Sequence, residues 1–267
     1  MKTRILILAL LALPSCSALK TGFLWADTFF VQATARYFTL DGDQKNAAKA
    51  EVRRVLQTLR SEKVAPLATS MDVFATSVEA GKEGAARDFL KEAEPVFQST
   101  LRAFEPVFQT MVAAEATHGF KKFDAAFLKR WEKQNAFSAE EHAEELLSRY
   151  ERMIKETIEF TTPEQQGWIE AFAKENAGVH ALEIASRKAV FEAFKVHRQD
   201  PAKREAFVQR YFQDWNGVQT KEYAQARLKY QEASRALVEK VLKNLTAKQR
   251  MNLVENVRSR AAELRGL

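Results

Sequence analysis

Cysteine is almost missing from this chain: one residue, Cys16, stands in 267. An intramolecular disulfide is therefore impossible, and the fold has to hold through packing. Glycine and proline are sparse as well, nine and six residues. They fall mostly where helices are expected to break, at Gly42, Pro66, Gly81, Gly84, Gly119, Pro163, Gly178, Pro201 and Gly217. That scatter leaves no glycine-rich loop to cradle a phosphate. No serine stands in a Gly-x-Ser-x-Gly turn, which removes the hydrolase elbow. Nowhere do polar and apolar residues alternate long enough to argue for a sheet. Missing too is any run of about 18 apolar residues, the length that a membrane-spanning helix needs. A strong charge bias is also absent: 41 Lys and Arg face 35 Asp and Glu, for a net charge of +6. The two signs are interspersed, as on a solvated helical surface, and no nucleic-acid partner is expected.

What the chain does have begins at its N-terminus. Lys2 and Arg4 precede nine apolar residues from Ile5 to Leu13, then Pro14, Ser15 and Cys16. This is the plan of a secretory signal: a charged start, a short apolar stretch and a small residue before the cut. Nine helical residues rise only about 14 Å, against a hydrocarbon core of about 30 Å, so a permanent span is not expected. Cysteine directly after Leu13-Pro14-Ser15 resembles a lipobox, in which the thiol is acylated and becomes the mature N-terminus. Residues 1–15 are thus expected to be a lipoprotein signal peptide and residues 16–267 an all-α helical domain. Two or three acyl chains anchor firmly where a single chain of myristoyl length binds only marginally. Ser17 stands where the Asp that retains lipoproteins in the inner membrane would be, which points to the outer membrane with the domain facing the periplasm.

The remainder reads as helix, and an elongated multi-helix bundle is expected. Tyr223, Ala226, Tyr230, Ala233, Leu237 and Val241 recur at three- and four-residue steps, one face of a long helix from about Asn216 to Asn244. Phe97, Leu101, Phe104, Phe108 and Met111 form a second seam. Around it, Glu94-Pro95-Val96-Phe97-Gln98 is echoed by Glu105-Pro106-Val107-Phe108-Gln109. A helix should start at, or kink near, each of these prolines. Near the anchor, Phe23, Leu24, Trp25, Phe29, Phe30, Val31, Tyr37 and Phe38 crowd a helix expected from about Leu19 to Thr39. Such a segment is too apolar for full exposure and belongs in the core, against the bilayer or under a partner.

Four segments carry the spacing of a capping box, in which a short side-chain oxygen and a Glu or Gln three residues on satisfy each other's amides. They are Asp41-Gly42-Asp43-Gln44, Ser138-Ala139-Glu140-Glu141, Thr162-Pro163-Glu164-Gln165 and Thr246-Ala247-Lys248-Gln249. The opening Cys16-Ser17-Ala18-Leu19, with Gly22-Phe23, Ala26-Asp27, Tyr37-Phe38, Leu40 and Gln44-Lys45, adds to this pattern. So do Glu159-Phe160-Thr161-Thr162-Pro163-Glu164-Gln165 and Leu245-Thr246-Ala247-Lys248-Gln249-Arg250. Together these segments resemble an uncharacterised family of Gram-negative bacterial lipoproteins that carry a domain of unknown function. The resemblance implies an envelope address and an all-α fold, with no activity to carry over. Separately, the Leu-Thr-x-x-Gln box at Leu245–Gln249 is similar to boxes in small periplasmic chaperones and stress sensors of the Spy and CpxP type.

Chemistry-bearing constellations are few. Glu115-Ala116-Thr117-His118 has the Glu-x-x-His spacing of di-iron bundles, which need two such motifs. None of His142, His180 and His197 has Glu three residues earlier, and His180-Ala181-Leu182-Glu183 is the reversed order. Glu140-Glu141 and Glu144-Glu145 read as a solvated face. Arg187-Lys188, Lys195, His197-Arg198 and Lys203-Arg204 could form a patch for anionic headgroups, diluted by Glu192, Asp200 and Glu205. The expectation is therefore no catalytic residue, no metal and no other cofactor, with Cys16 the one site residue, as the point of lipid attachment. Expected partners are the membrane, through that lipid, and an envelope protein. A non-enzymatic interaction or structural module is the leading reading, and a chaperone-like or stress-related binding protein is the alternative.

Overall fold

In a computed structural model, residues 25–267 are described; Cys16 and the segment expected to be a signal peptide lie outside them. The described chain is all-α with no strand. Its helices are α1 Ala26–Thr34, α2 Gly42–Glu62, α3 Val64–Glu79, α4 Ala85–Ala103, α5 Glu105–Thr117 and α6 Lys121–Asn135. They continue with α7 Ala139–Ile158, α8 Pro163–Asn176, α9 Gly178–His197, α10 Pro201–Gln213, α11 Lys221–Lys243 and α12 Ala247–Arg265.

Helix starts follow local chemistry closely. All four expected capping boxes are formed, at Asp41, Ser138, Thr162 and Thr246, each with its reciprocal pair of bonds. Asp200 and Thr220 cap α10 and α11 in the same way with single side chains. The two echoed prolines behave differently. Pro106 sits in the first turn of α5, where a missing N–H costs nothing. Pro95 lies inside α4, which continues through it.

Two expected boundaries move. The long helix begins at Lys221, not Asn216, because Thr220 accepts a bond from the Tyr223 amide and residues 214–219 form a separate turn. Asp214 Oδ1 accepts from the Gly217 amide at 2.9 Å to close that turn. At 23 residues α11 is still about 34 Å long, and Tyr223, Tyr230, Leu237 and Val241 are buried along it as the seam required. The helix expected over Leu19–Thr39 is, within the described residues, the shorter α1. After Thr34 the chain turns and runs out to Leu40, tied by the Thr39 amide donating to Glu115 Oε2 at 2.5 Å.

Apolar side chains gather in two clusters. The larger joins α3, α4, α7, α8, α11 and α12 around Met71, Phe89, Tyr150, Ile169, Tyr230 and Leu253. α12 lies along α3 in the most extensive helix pairing among the described residues. The smaller cluster joins α1, α2 and α5 to Phe120, Phe194 and Val208. Aromatic rings dominate it: Phe120 meets Phe194 edge-on at 5.6 Å, and Phe30 stacks on Phe104 at 5.3 Å. Without disulfides, this contact area carries the stability, at about 1.5–3 kcal/mol for each large apolar side chain fully buried.

Candidate functional site

The pairing suggested by Glu-x-x-His at Glu115 does not form. Glu115 is fully buried, and its carboxylate accepts from the backbone amides of Thr39 (2.5 Å) and Phe123 (3.4 Å). Phe123 lies in the first turn of α6, whose own N-cap residue, Phe120, supplies no capping bond. Glu115 therefore caps α6 from outside, while His118 faces solvent. The basic run is dispersed too. Arg187 pairs with Glu183, Lys188 and Lys195 both pair with Glu192, and Lys203 pairs with Asp200. Arg198 is buried and grips Asp124 with both ends of its guanidinium.

A polar cluster forms elsewhere, at the starts of α7 and α9. Ser138 caps α7 and sets His142 on its second turn. α8 packs against α7 and passes into α9 through Ala177, which keeps helical torsions. That corner sets His180 against His142, their ring centres 4.5 Å apart and nearly perpendicular. Glu145, one turn beyond His142, completes a trio. One ligand atom from each of His142, Glu145 and His180 lies within 4.8 Å of the others. The trio lines a small cleft with Leu146, Arg149, Asn176 and Ala177.

Each member is held differently. His142 is 5% exposed, and its Nδ1 is buried with no hydrogen-bond partner among the described residues. Burial, helped by the adjacent His180, lowers its pKa and favours the neutral ring with a free lone pair. His180 Nδ1 lies 3.3 Å from Glu183 Oε2. Burial alone would raise the Glu183 carboxyl, but the His180 bond and the Arg187 guanidinium outweigh it and hold it at about 2. Glu183 is thus an anion at neutral pH, so His180 presents Nδ1–H to it. Glu145 is exposed and accepts from Arg149 Nη2 at 2.9 Å through Oε1.

In the sequence, Glu145 reads as part of a solvated face and His180–Glu183 as the reversed order. Both placements hold locally, since Glu145 is exposed and Glu183 follows His180 by one turn. The available signal was a repeat: His142-x-x-Glu145 and His180-x-x-Glu183 share one spacing, so each helix offers an imidazole and a carboxylate on one face.

Compared with known proteins, the chain matches no family model, no curated protein and no solved structure.

Proposed function

We propose that this chain is a periplasm-facing lipoprotein of the outer membrane, held by acyl chains on Cys16. In this reading its helical body is a non-enzymatic interaction or structural module of the envelope. The observation that carries the reading joins sequence and structure. Cys16 follows a signal-like segment, and the start of the first described helix, with its N-cap residue Trp25, presents two large exposed apolar side chains shortly after it. Trp25 is 57% and Phe29 56% exposed, four residues apart and so on one helical face. Residues between Cys16 and Trp25 reach about 30 Å at most when extended, so a lipid on Cys16 keeps this face near the bilayer. Trp suits that boundary because its ring is apolar while its N–H seeks a polar partner.

Fractionation tests the tether: Cys16→Ser should move the protein from membrane to soluble fractions and abolish labelling by radioactive fatty acid. Continued membrane association would contradict it. The resemblance to lipoproteins with a domain of unknown function supports the same reading.

The Leu245–Gln249 box favours a second reading, a chaperone-like binding protein of the Spy and CpxP type. Gln249 is buried and spent on helix capping, so the box itself would support the fold while an apolar surface elsewhere meets clients. Suppression of client aggregation by the purified protein would support this reading, and none at several-fold excess would end it.

A further inference from the structure

We propose that His142, Glu145 and His180 form a binding site for a first-row divalent cation, best suited to zinc(II), joining the start of α7 to the start of α9. Two imidazoles and one carboxylate are a donor set that such ions take, with a remaining position left to water. Hard cations such as calcium and magnesium prefer all-oxygen shells and fit it poorly.

Four independent features converge on the site. Donor atoms of all three residues already lie within 4.8 Å of one another. In a tetrahedral site with bonds of about 2.0–2.1 Å the donors stand roughly 3.3 Å apart, so a closure of roughly 1.5 Å completes it. Glu145 is exposed, so its side chain is free of core packing that would oppose such a movement. Second, His142 Nδ1 is buried without a hydrogen-bond partner among the described residues. An orphaned polar atom in an interior needs an occupant, since leaving it unpaired costs about 1–3 kcal/mol. Third, Glu183 holds His180 by Nδ1 and leaves Nε2 as the nitrogen for an ion, the carboxylate–histidine support that metal-binding imidazoles commonly have. Fourth, the cleft has room for about one water-sized occupant, which suits an ion.

Charge is balanced without the ion. Glu145 and Glu183 face Arg149 and Arg187, and His142 and His180 are neutral when coordinating. Arg149 holds Glu145 through one oxygen and competes with the cation for it. Removing that guanidinium should tighten binding.

Cobalt(II) is the probe, because its visible absorption reports coordination number. The full chain is used in detergent with Cys16→Ser, so that the thiol cannot bind metal, and with circular dichroism confirming the helical fold of every variant. Titration should saturate at one equivalent with the intense bands of four- or five-coordinate cobalt. Zinc should displace the cobalt, while magnesium and calcium should not. His180→Asn should abolish the spectrum, and Glu145→Gln should weaken binding at least tenfold. Glu183→Gln should weaken it about 10- to 100-fold, as loss of an orienting partner does, and Arg149→Gln should strengthen it. His118→Asn and His197→Asn, both altering exposed histidines, should change nothing. No spectral change on titration, or a spectrum that survives His180→Asn in a folded variant, would overturn the site. These readouts are independent of membrane attachment, so the tether and the cation site stand or fall separately.

Discussion

Gln165 and Gln249 show how far a few atoms can organise this molecule. Each is the closing residue of a capping box, at the starts of α8 and α12. Both are buried, and they exchange side-chain bonds: Gln165 Nε2 donates to Gln249 Oε1 at 3.1 Å, and Gln249 Nε2 donates to Gln165 Oε1 at 2.7 Å. Each amide also donates to a carbonyl just before the other helix, Gln165 to Asn244 and Gln249 to Phe160. Two helix corners are thereby clasped with near two-fold symmetry. Replacing one partner strands the other, so Gln165→Leu should cost about 1–3 kcal/mol in urea unfolding. Gln165→Leu with Gln249→Leu should cost less than the sum of the single changes; strict additivity would mean that the two amides do not act together. Glu183 carries a pH dependence of definite sign. Its carboxyl is held at about 2, against 4.5 ordinarily, so its stabilisation is fully present above about pH 4.5. It drains away as pH falls from there through 2, and its size is of the order of 3 kcal/mol. Glu183→Gln should flatten unfolding free energy across that window, and an unchanged acid profile would contradict this assignment.

At the scale of elements, the four capping-box starts were legible in the sequence, whereas the start of α11 and the end of α1 were not. A cap is a short-range pattern, which is why Asp41, Ser138, Thr162 and Thr246 could be placed in advance. The stretch after α1 is tied instead to a partner far along the chain, with the Thr39 amide donating to Glu115, and no local pattern announces that. Left-handed torsions tell the same story. Gly119 and Phe120 have φ of 66° and 62° between α5 and α6. A non-glycine residue there is strained, by about 1–3 kcal/mol. Phe120 tolerates it because its ring is fully buried against Phe123 and Phe194, with the Arg198 guanidinium 4.8 Å above. Pro95 offers a contrast. It is exposed within α4, where proline costs about 3 kcal/mol relative to alanine. Pro95→Ala should raise the urea midpoint, with a gain cut to about 1–2 kcal/mol by the freer unfolded chain and local relaxation. A lower midpoint would mean that the packing of Phe89 and Phe97 on either side depends on Pro95. The α7–α9 cluster was hidden for a related reason. His142 and His180 are 38 positions apart, and the α8 corner that joins them is a tertiary fact.

For the whole molecule, fold class followed from composition and periodicity, whereas activity did not. Scarce glycine and proline, four caps and the long seam of α11 made an all-α bundle readable. The division of its interior into two clusters arises from which seams meet, and that is set by long-range packing. The functional proposals concern two places: a lipid tether on Cys16 ahead of α1 and a cation site between α7 and α9. If α1 contributes to membrane contact, Trp25→Ser with Phe29→Ser should lower retention on anionic lipid vesicles several-fold in the Cys16→Ser background. Thermal stability should hardly change, because both side chains are exposed; equal retention would assign membrane contact to the lipid alone. The most direct measurement is mass spectrometry of the intact protein extracted from envelopes. A chain beginning at Cys16 with the added mass of a thioether-linked diacylglycerol is the predicted result. A chain that still begins at Met1, or an unmodified Cys16 at the mature terminus, would contradict the tether.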